Sequence, residues 1–185
     1  KPTVVPRRVA WKKIHPKTSM RLPDEINEWG GSNSPGIQFD FGRVVTGYPI
    51  LQIKDKNQWD KVWISWSEKQ PIKVSDMHNL RYDCSSGDSE FVSRNRIGFR
   101  YLIIDSSRGA ETIESPQALI EVPVEPVIGT FDSSDPILNK IWNAGVTTFQ
   151  NCALDVYMDG PAREQRQYLG DARIQAGVAR VLYKD

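Results

Sequence analysis

Between two apolar stretches of helical spacing stands MDGPAREQRQYLGDA, residues 158–172. Asp159, Glu164 and Asp171 place three carboxylates there, with Asp155 just before them. Arg163 and Arg166 are interleaved cations, and Tyr157 and Tyr168 add aromatic surface. Carboxylates held close together resist ionising at once, which pushes one of them toward the neutral acid. A neutral carboxylic acid near pH 7 can protonate a leaving oxygen, while an ionised neighbour binds hydroxyls or steadies a developing cation. Aromatic rings beside carboxylates suit sugars, which present apolar ring faces and many hydroxyls. Together these side chains are those expected around the scissile bond of a glycoside.

The same residues admit a purely structural account. Asp171 has the residue type of a helix N-cap. Glu164 has Arg163 and Arg166 as ion-pair partners on a solvated surface, and Asp159 before Gly160-Pro161 suits a turn. What favours chemistry is the length of the connection. It runs roughly over residues 153–170, whereas antiparallel helices are usually joined by about 2–8 residues and longer links are often functional.

The elements that must hold this loop fall into two classes. Residues 1–36 are rich in Pro, Lys, Arg and Gly and show little periodicity, so an irregular lead-in is expected. Ile37 to Phe41 alternates apolar and polar, the period of a half-buried strand, and Gly42 is expected to stop it. Further strands are predicted at Tyr48–Ile53, at Val62, Ile64 and Trp66, at Phe91-Val92, at Phe99–Ile104 and at Ala118–Val124. Short strands without intervening helices point to an antiparallel sandwich. Near residue 130 the period changes. Ser134-Asp135-Pro136 is a helix start, with a capping side chain and Pro in the first turn. Leu138, Ile141, Trp142, Gly145 and Phe149 then share one face of a helix of about 15 residues. A second helix is expected from about Asp171, with Ile174, Gly177, Val178, Val181 and Leu182 on one face. The fold class is therefore all-β followed by all-α: lead-in 1–36, β-sandwich 37–127, and a helical part 128–185. Two such apolar helix faces need a partner surface, so residues 130–185 are expected to open a larger helical domain.

Composition removes several function classes. A formal charge of +1 over 185 residues recruits neither nucleic acid nor an acidic membrane by bulk electrostatics. No apolar run approaches the ~20 residues of a membrane span. Cys84 and Cys152 form no Cys-x-x-Cys motif, and no other ligand spacing calls for a metal or cofactor. His15 and His78 lack the companions of a catalytic triad. Trp59, Trp63 and Trp66 leave open a non-catalytic alternative, a sugar-binding platform on the sandwich, although Trp in an alternating strand is more often core.

Asp159-Gly160-Pro161-x-Arg163-Glu164 followed by Gly170-Asp171 resembles the signature of the bacterial α-L-rhamnosidases, glycoside hydrolase family 78. The Glu lies five residues after the first Asp, and the second Asp twelve after it. Phe39-Asp40-Phe41-Gly42 with Thr46-Gly47, Gly98-Phe99-Arg100-Tyr101, and Phe131 with Asp135 to Trp142 are similar to other segments of that family. The resemblance covers roughly residues 37–185. It implies a β-sandwich leading into the first helical hairpin of an (α/α)6 barrel, and inverting hydrolysis of a terminal α-L-rhamnoside. It assigns Glu164 as general acid, Asp159 and Asp171 to sugar hydroxyls or the cation-like transition state, and Arg163 to orienting nearby carboxylates. Tyr168 stands where the family often has Trp and would form the wall against the sugar ring. The implied partner is a rhamnose-containing glycoside or polysaccharide. The family's base is a Glu of a later barrel helix, so on this resemblance the chain needs the rest of the barrel, or another subunit, to turn over substrate. A related barrel acting on another sugar is the second enzymatic alternative.

Overall fold

The computed structural model describes residues 9–22, 36–54, 61–70, 78–83 and 90–183, the 78–83 segment by its backbone. Eight strands are present among these residues: β1 (Val9–Ile14), β2 (Thr18–Arg21), β3 (Ile37–Gln52), β4 (Lys61–Ser67), β5 (His78–Asp83), β6 (Glu90–Val92), β7 (Ile97–Ser106) and β8 (Gln117–Pro123). Two helices follow, α1 (Pro136–Cys152) and α2 (Leu169–Tyr183). The chain divides into two compact units, one of residues Lys13–Ile120 and one of Lys1–Lys12 with Glu121–Asp185.

The strands run in the order β1-β8-β3-β7-β4-β5, with β2 and β6 attached to β3. Strand β3 organises them. Along one edge it pairs antiparallel with β2 through Ile37–Asp40 and with β8 through Gly47–Ile50. Along the other it pairs with β7 as far as Gly47 and with β6 from Ile50. One long strand whose two halves carry different neighbours can serve two layers. In β7 every residue except Arg100 is buried. Successive strand residues point to opposite faces, so burial of both sets means that both faces are covered. The fold is an antiparallel β-sandwich followed by two helices.

Gly42 does not end the strand, as its position in the sequence suggests; β3 continues through it to Gln52. Gly42 takes φ +80°, in the region that favours glycine. The register against β7 shifts between Asp40 and Val45, which makes a bulge. Asp40 holds the bulge in place. Its Oδ1 accepts the Gly42 N–H at 2.6 Å. Arg100 from β7 reaches both carboxylate oxygens, Nε to Oδ1 at 2.8 Å and Nη2 to Oδ2 at 2.9 Å. Gly47 also lies inside β3, for a different reason. A Cβ there would run into the Leu119 carbonyl of β8. Phe41 and Phe99 meet edge to face beneath this region, with ring centroids 5.2 Å apart.

The expected irregular lead-in contains β1 and β2. Their residues are mostly exposed, so no apolar alternation marks them. The β2 pairing is instead made by backbone groups against Ile37–Asp40. Trp59 and Cys84 lie outside the described residues.

In the helical unit, Asp135 caps α1 as its sequence suggests, its Oδ1 accepting the Ile137 N–H at 2.8 Å. Helix α2 begins at Leu169, so Asp171 sits within its first turn instead of capping it. There a negative charge is favoured by the positive end of the helix dipole. The hairpin core is Phe149, Ala153, Ala179, Leu182 and Tyr183, with Val127, Trp142, Val146 and Tyr157 against it. The Ile128 and Gly129 N–H groups both donate to the Leu182 carbonyl, at 2.8 and 3.1 Å. The segment leading into α1 thus occupies an acceptor that the end of α2 leaves open. Of the apolar faces expected from periodicity only part is covered, since Ile141 is 62% exposed and Ile174 70%.

The Asp40 carboxyl is held below the usual range, first by its hydrogen bonds from Arg100, with the Gly42 N–H and the charges of Arg100 and Lys17 adding to the effect. A depressed folded-state pKa contributes stability above the unfolded pKa, and that stability is lost as pH falls through the folded pKa. Asp40→Asn should lower the stability of the sandwich by about 1 kcal/mol at pH 7, a modest value because water screens a partly exposed pair. Urea unfolding of both proteins should show the difference shrinking below about pH 4, where the unfolded carboxyl takes up its proton. A gap that stays constant down to pH 2 would exclude the ionic account.

Candidate active site

The connection between α1 and α2 is built before it reaches its charges. Asn151 to Leu154 and Met158 are buried, so the start of the loop is anchored by side chains facing inward. Ala153 and Tyr157 pair as an isolated bridge, and the Met158 N–H donates to the Cys152 carbonyl at 2.8 Å. These bonds satisfy the backbone where the loop leaves the helix. The chain then turns outward.

Asp159 and Arg166 face each other across the next segment. The Asp159 N–H donates to the Arg166 carbonyl, and the Arg166 N–H donates to Asp159 Oδ1, each at 2.9 Å. This reciprocal pair closes residues 159–166 into a ring. Inside it Gln165 adopts φ 54°, the left-handed region that side chains other than glycine seldom occupy. Its own amide steadies that conformation, with Nε2 donating to the Pro161 carbonyl at 2.6 Å. A non-glycine residue held there stores strain of order 1 kcal/mol, a feature concentrated at functional sites.

Glu164 projects from the ring and is gripped by two donors. Arg163 Nη2 lies 2.7 Å from Oε1, and the Tyr168 hydroxyl donates to Oε2 at 2.5 Å. Both donors favour the charged form, so the Glu164 carboxyl sits below the ordinary glutamate range, with the Tyr168 hydroxyl as the larger cause. The same contacts raise the Tyr168 hydroxyl and the Arg163 guanidinium. The sequence led us to expect a carboxylate pushed toward the neutral acid by another carboxylate. Glu164 moves the opposite way because its immediate neighbours are a cation and a hydroxyl.

The structure therefore brings Arg163, Glu164 and Tyr168 into one cluster and ties Asp159 into the loop that carries them. Asp171 is exposed in the first turn of α2. All five side chains are solvent-accessible. Among the described residues no group of three or more His, Cys, Asp or Glu is arranged to hold a metal ion. Trp63 and Trp66 of β4 are three residues apart and so point to opposite faces of the strand, which does not make a shared platform of them.

Residues 126–185 match the family model of the bacterial alpha-L-rhamnosidase 6 hairpin glycosidase domain. The helical part of this chain carries the rhamnosidase likeness. That segment contains the whole loop and both helices that frame it. No curated protein matches the chain. Among solved structures, a rhamnosidase from Klebsiella oxytoca with rhamnose bound is similar at TM-score 0.69 and 20% identity, over 97% of this chain and 42% of that one. The α-L-rhamnosidase from Dictyoglumus thermophilum is similar at TM-score 0.70 and 19% identity, over 97% of this chain and 20% of its own. The GH78 family rhamnosidase of Bacillus sp. GL1 is similar at TM-score 0.62 and 23% identity, over 82% of this chain and 16% of its own. These likenesses show the rhamnosidase fold, sandwich first and helices after. The chain spans less than half the length of each of these rhamnosidases.

Three contributions to this site were not read from residue type or spacing. Arg166 acts through its backbone, Gln165 through a backbone angle, and Gln175 by donating to the Met158 carbonyl at 2.7 Å. A backbone role leaves no trace in side-chain type. Gln175 was masked by its place in a helical pattern.

Tyr168→Phe removes the larger stabiliser of the Glu164 anion. A carboxyl-carbon NMR titration should show the Glu164 midpoint rising toward the ordinary glutamate range in that variant. It should rise by less in Arg163→Ala, where the Tyr168 hydroxyl remains. An unmoved midpoint in Tyr168→Phe would mean the hydroxyl does not bond Glu164 in solution.

Proposed function

We propose that this chain is part of an inverting α-L-rhamnosidase that releases terminal α-L-rhamnose from a glycoside or polysaccharide. The observation that carries this reading is the family match over residues 126–185, which takes in the Asp159–Asp171 loop together with both helices. Glu164 is the general acid and delivers a proton to the glycosidic oxygen. Asp159 and Asp171 serve the sugar hydroxyls or the oxocarbenium-like transition state. Arg163 orients the carboxylates, and the Tyr168 ring forms a wall beside the sugar.

A general acid has to carry its proton when the substrate is bound, and its efficiency is greatest when its pKa lies near the working pH. Glu164 is exposed and favoured as the anion. A sugar seated over it excludes water, and loss of water raises a carboxyl pKa. Turning the Tyr168 hydroxyl toward a sugar oxygen raises it further. Docking and acid activation are thus one event. Inversion also needs a base on the opposite side of the sugar, with the two carboxyls about 6.5–9.5 Å apart to admit a water. That base is a carboxylate from another barrel helix, so residues 126–185 by themselves supply only the acid half of the reaction.

The test compares wild type and Glu164→Gln in the protein as it exists in its source, using aryl α-L-rhamnosides. For a poor leaving group kcat should fall by about 10²- to 10⁴-fold, the usual worth of a positioned acid. For a strongly activated leaving group the loss should be small. Equal activity of both proteins on the poor leaving group removes Glu164 from the acid role. Hydrolysis of other aryl glycosides in preference to rhamnosides transfers the mechanism to another sugar.

A further inference from the structure

Gln175 lies on α2, seventeen residues beyond Met158, and its amide reaches back to the loop. Nε2 donates to the Met158 carbonyl at 2.7 Å. The opposite amide orientation would set Oε1 against that carbonyl, oxygen against oxygen. The orientation is therefore dictated by Met158. Oε1 is left buried and accepts no hydrogen bond from the described residues. Apart from Thr148 the surroundings are apolar, since Gln175 lines a groove of about 480 Å³ with Ile141, Trp142, Phe149, Val178 and Leu182. An unsatisfied amide oxygen in such a place is destabilising, and an apolar side chain of the same length would avoid it. What the side chain gives the fold in return is its single donated bond to Met158.

That bond falls at a decisive point. Met158 is fully buried, and its N–H is already held by Cys152. With its carbonyl held by Gln175 as well, both polar groups of Met158 are fixed. Asp159 is the next residue and opens the ring that ends at Arg166. Loop side chains are placed accurately only when rigid elements hold the loop. Here the rigid element is α2, and the Gln175 side chain ties the start of the ring to it.

We propose that Gln175 is a positioning residue. It sets the Asp159–Arg166 ring, and through it Glu164, against α2. The proposal rests on the rhamnosidase reading only where it concerns kinetics; the placement of the loop is independent of any reaction.

Two variants test it, Gln175→Met, which keeps length without the donor, and Gln175→Asn, which keeps the amide but falls short of the carbonyl. The first readout is amide hydrogen exchange. Exchange at Asp159 and Arg166 should quicken about tenfold or more in both variants, with α1 and the rest of α2 unchanged. The second is hydrolysis of aryl α-L-rhamnosides. For a poor leaving group kcat should drop about tenfold or more at nearly constant KM, with little change for an activated one. Unaltered exchange at Asp159 and Arg166 overturns the proposal. So does a uniform rise across both helices with a lowered Tm, which would make Gln175 a packing residue. A local rise in exchange in a protein whose wild type hydrolyses no rhamnoside supports the positioning role and defeats the rhamnosidase reading instead.

Discussion

The reciprocal bond between Asp159 and Arg166 is the constraint on which the site depends. A loop this long between two helices would otherwise leave its backbone to water and its side chains to diffuse. Each partner here uses its N–H on the other, so one pairing satisfies two donors and fixes the span between them. Glu164 falls inside that span, beside a glutamine held in a left-handed backbone conformation. The direction in which the carboxylate points is thus a property of the closed ring, and the ring is a property of what anchors it below.

The anchoring is apolar. Met158 and Leu154 are withdrawn from solvent, and the loop rises from them as a charged surface on a buried base. Burial of such side chains is the ordinary source of stability, and here it also sets geometry. The hairpin core around Phe149 and Leu182 holds the two helices, and the backbone bonds from Ile128 and Gly129 close the end of α2. The charged, exposed end of the loop is therefore supported by the apolar packing beneath it.

The sandwich uses the same device of a polar side chain fixing an irregular backbone. Asp40 clamps the bulge at Gly42 much as Asp159 clamps the ring at Arg166. In both, a carboxylate accepts a backbone N–H a few residues away. The difference lies in the cation. Arg100 binds Asp40 with both oxygens and makes it structural. Arg163 touches Glu164 through one oxygen, and the other is met by a phenol that can turn away. Glu164 is thus held by two donors, only one of which is a cation.

Residue type and period were enough to place β4, β6, β7 and β8, the two halves of β3, the cap at Asp135, both helices and the loop with its carboxylates, but not β5 or the continuity of β3 through Gly42. Apolar alternation and capping chemistry are local, so they can be read along the chain. The segment motif around Asp159, Glu164 and Asp171 was legible for the same reason. Tertiary structure alone decided what depends on meeting a distant partner. Strands β1 and β2 are held by pairing and not by pattern, and Gly42 became a bulge because Arg100 arrives from another strand to support Asp40. Glu164 became a favoured anion because Tyr168 folds back on it, whereas its spacing from other carboxylates suggested the reverse. Gln175 looked like one more helical residue until the fold brought it against Met158. Sequence carries the identity of each group, but a hydrogen bond needs both partners at about 3 Å, and only the folded chain sets that distance.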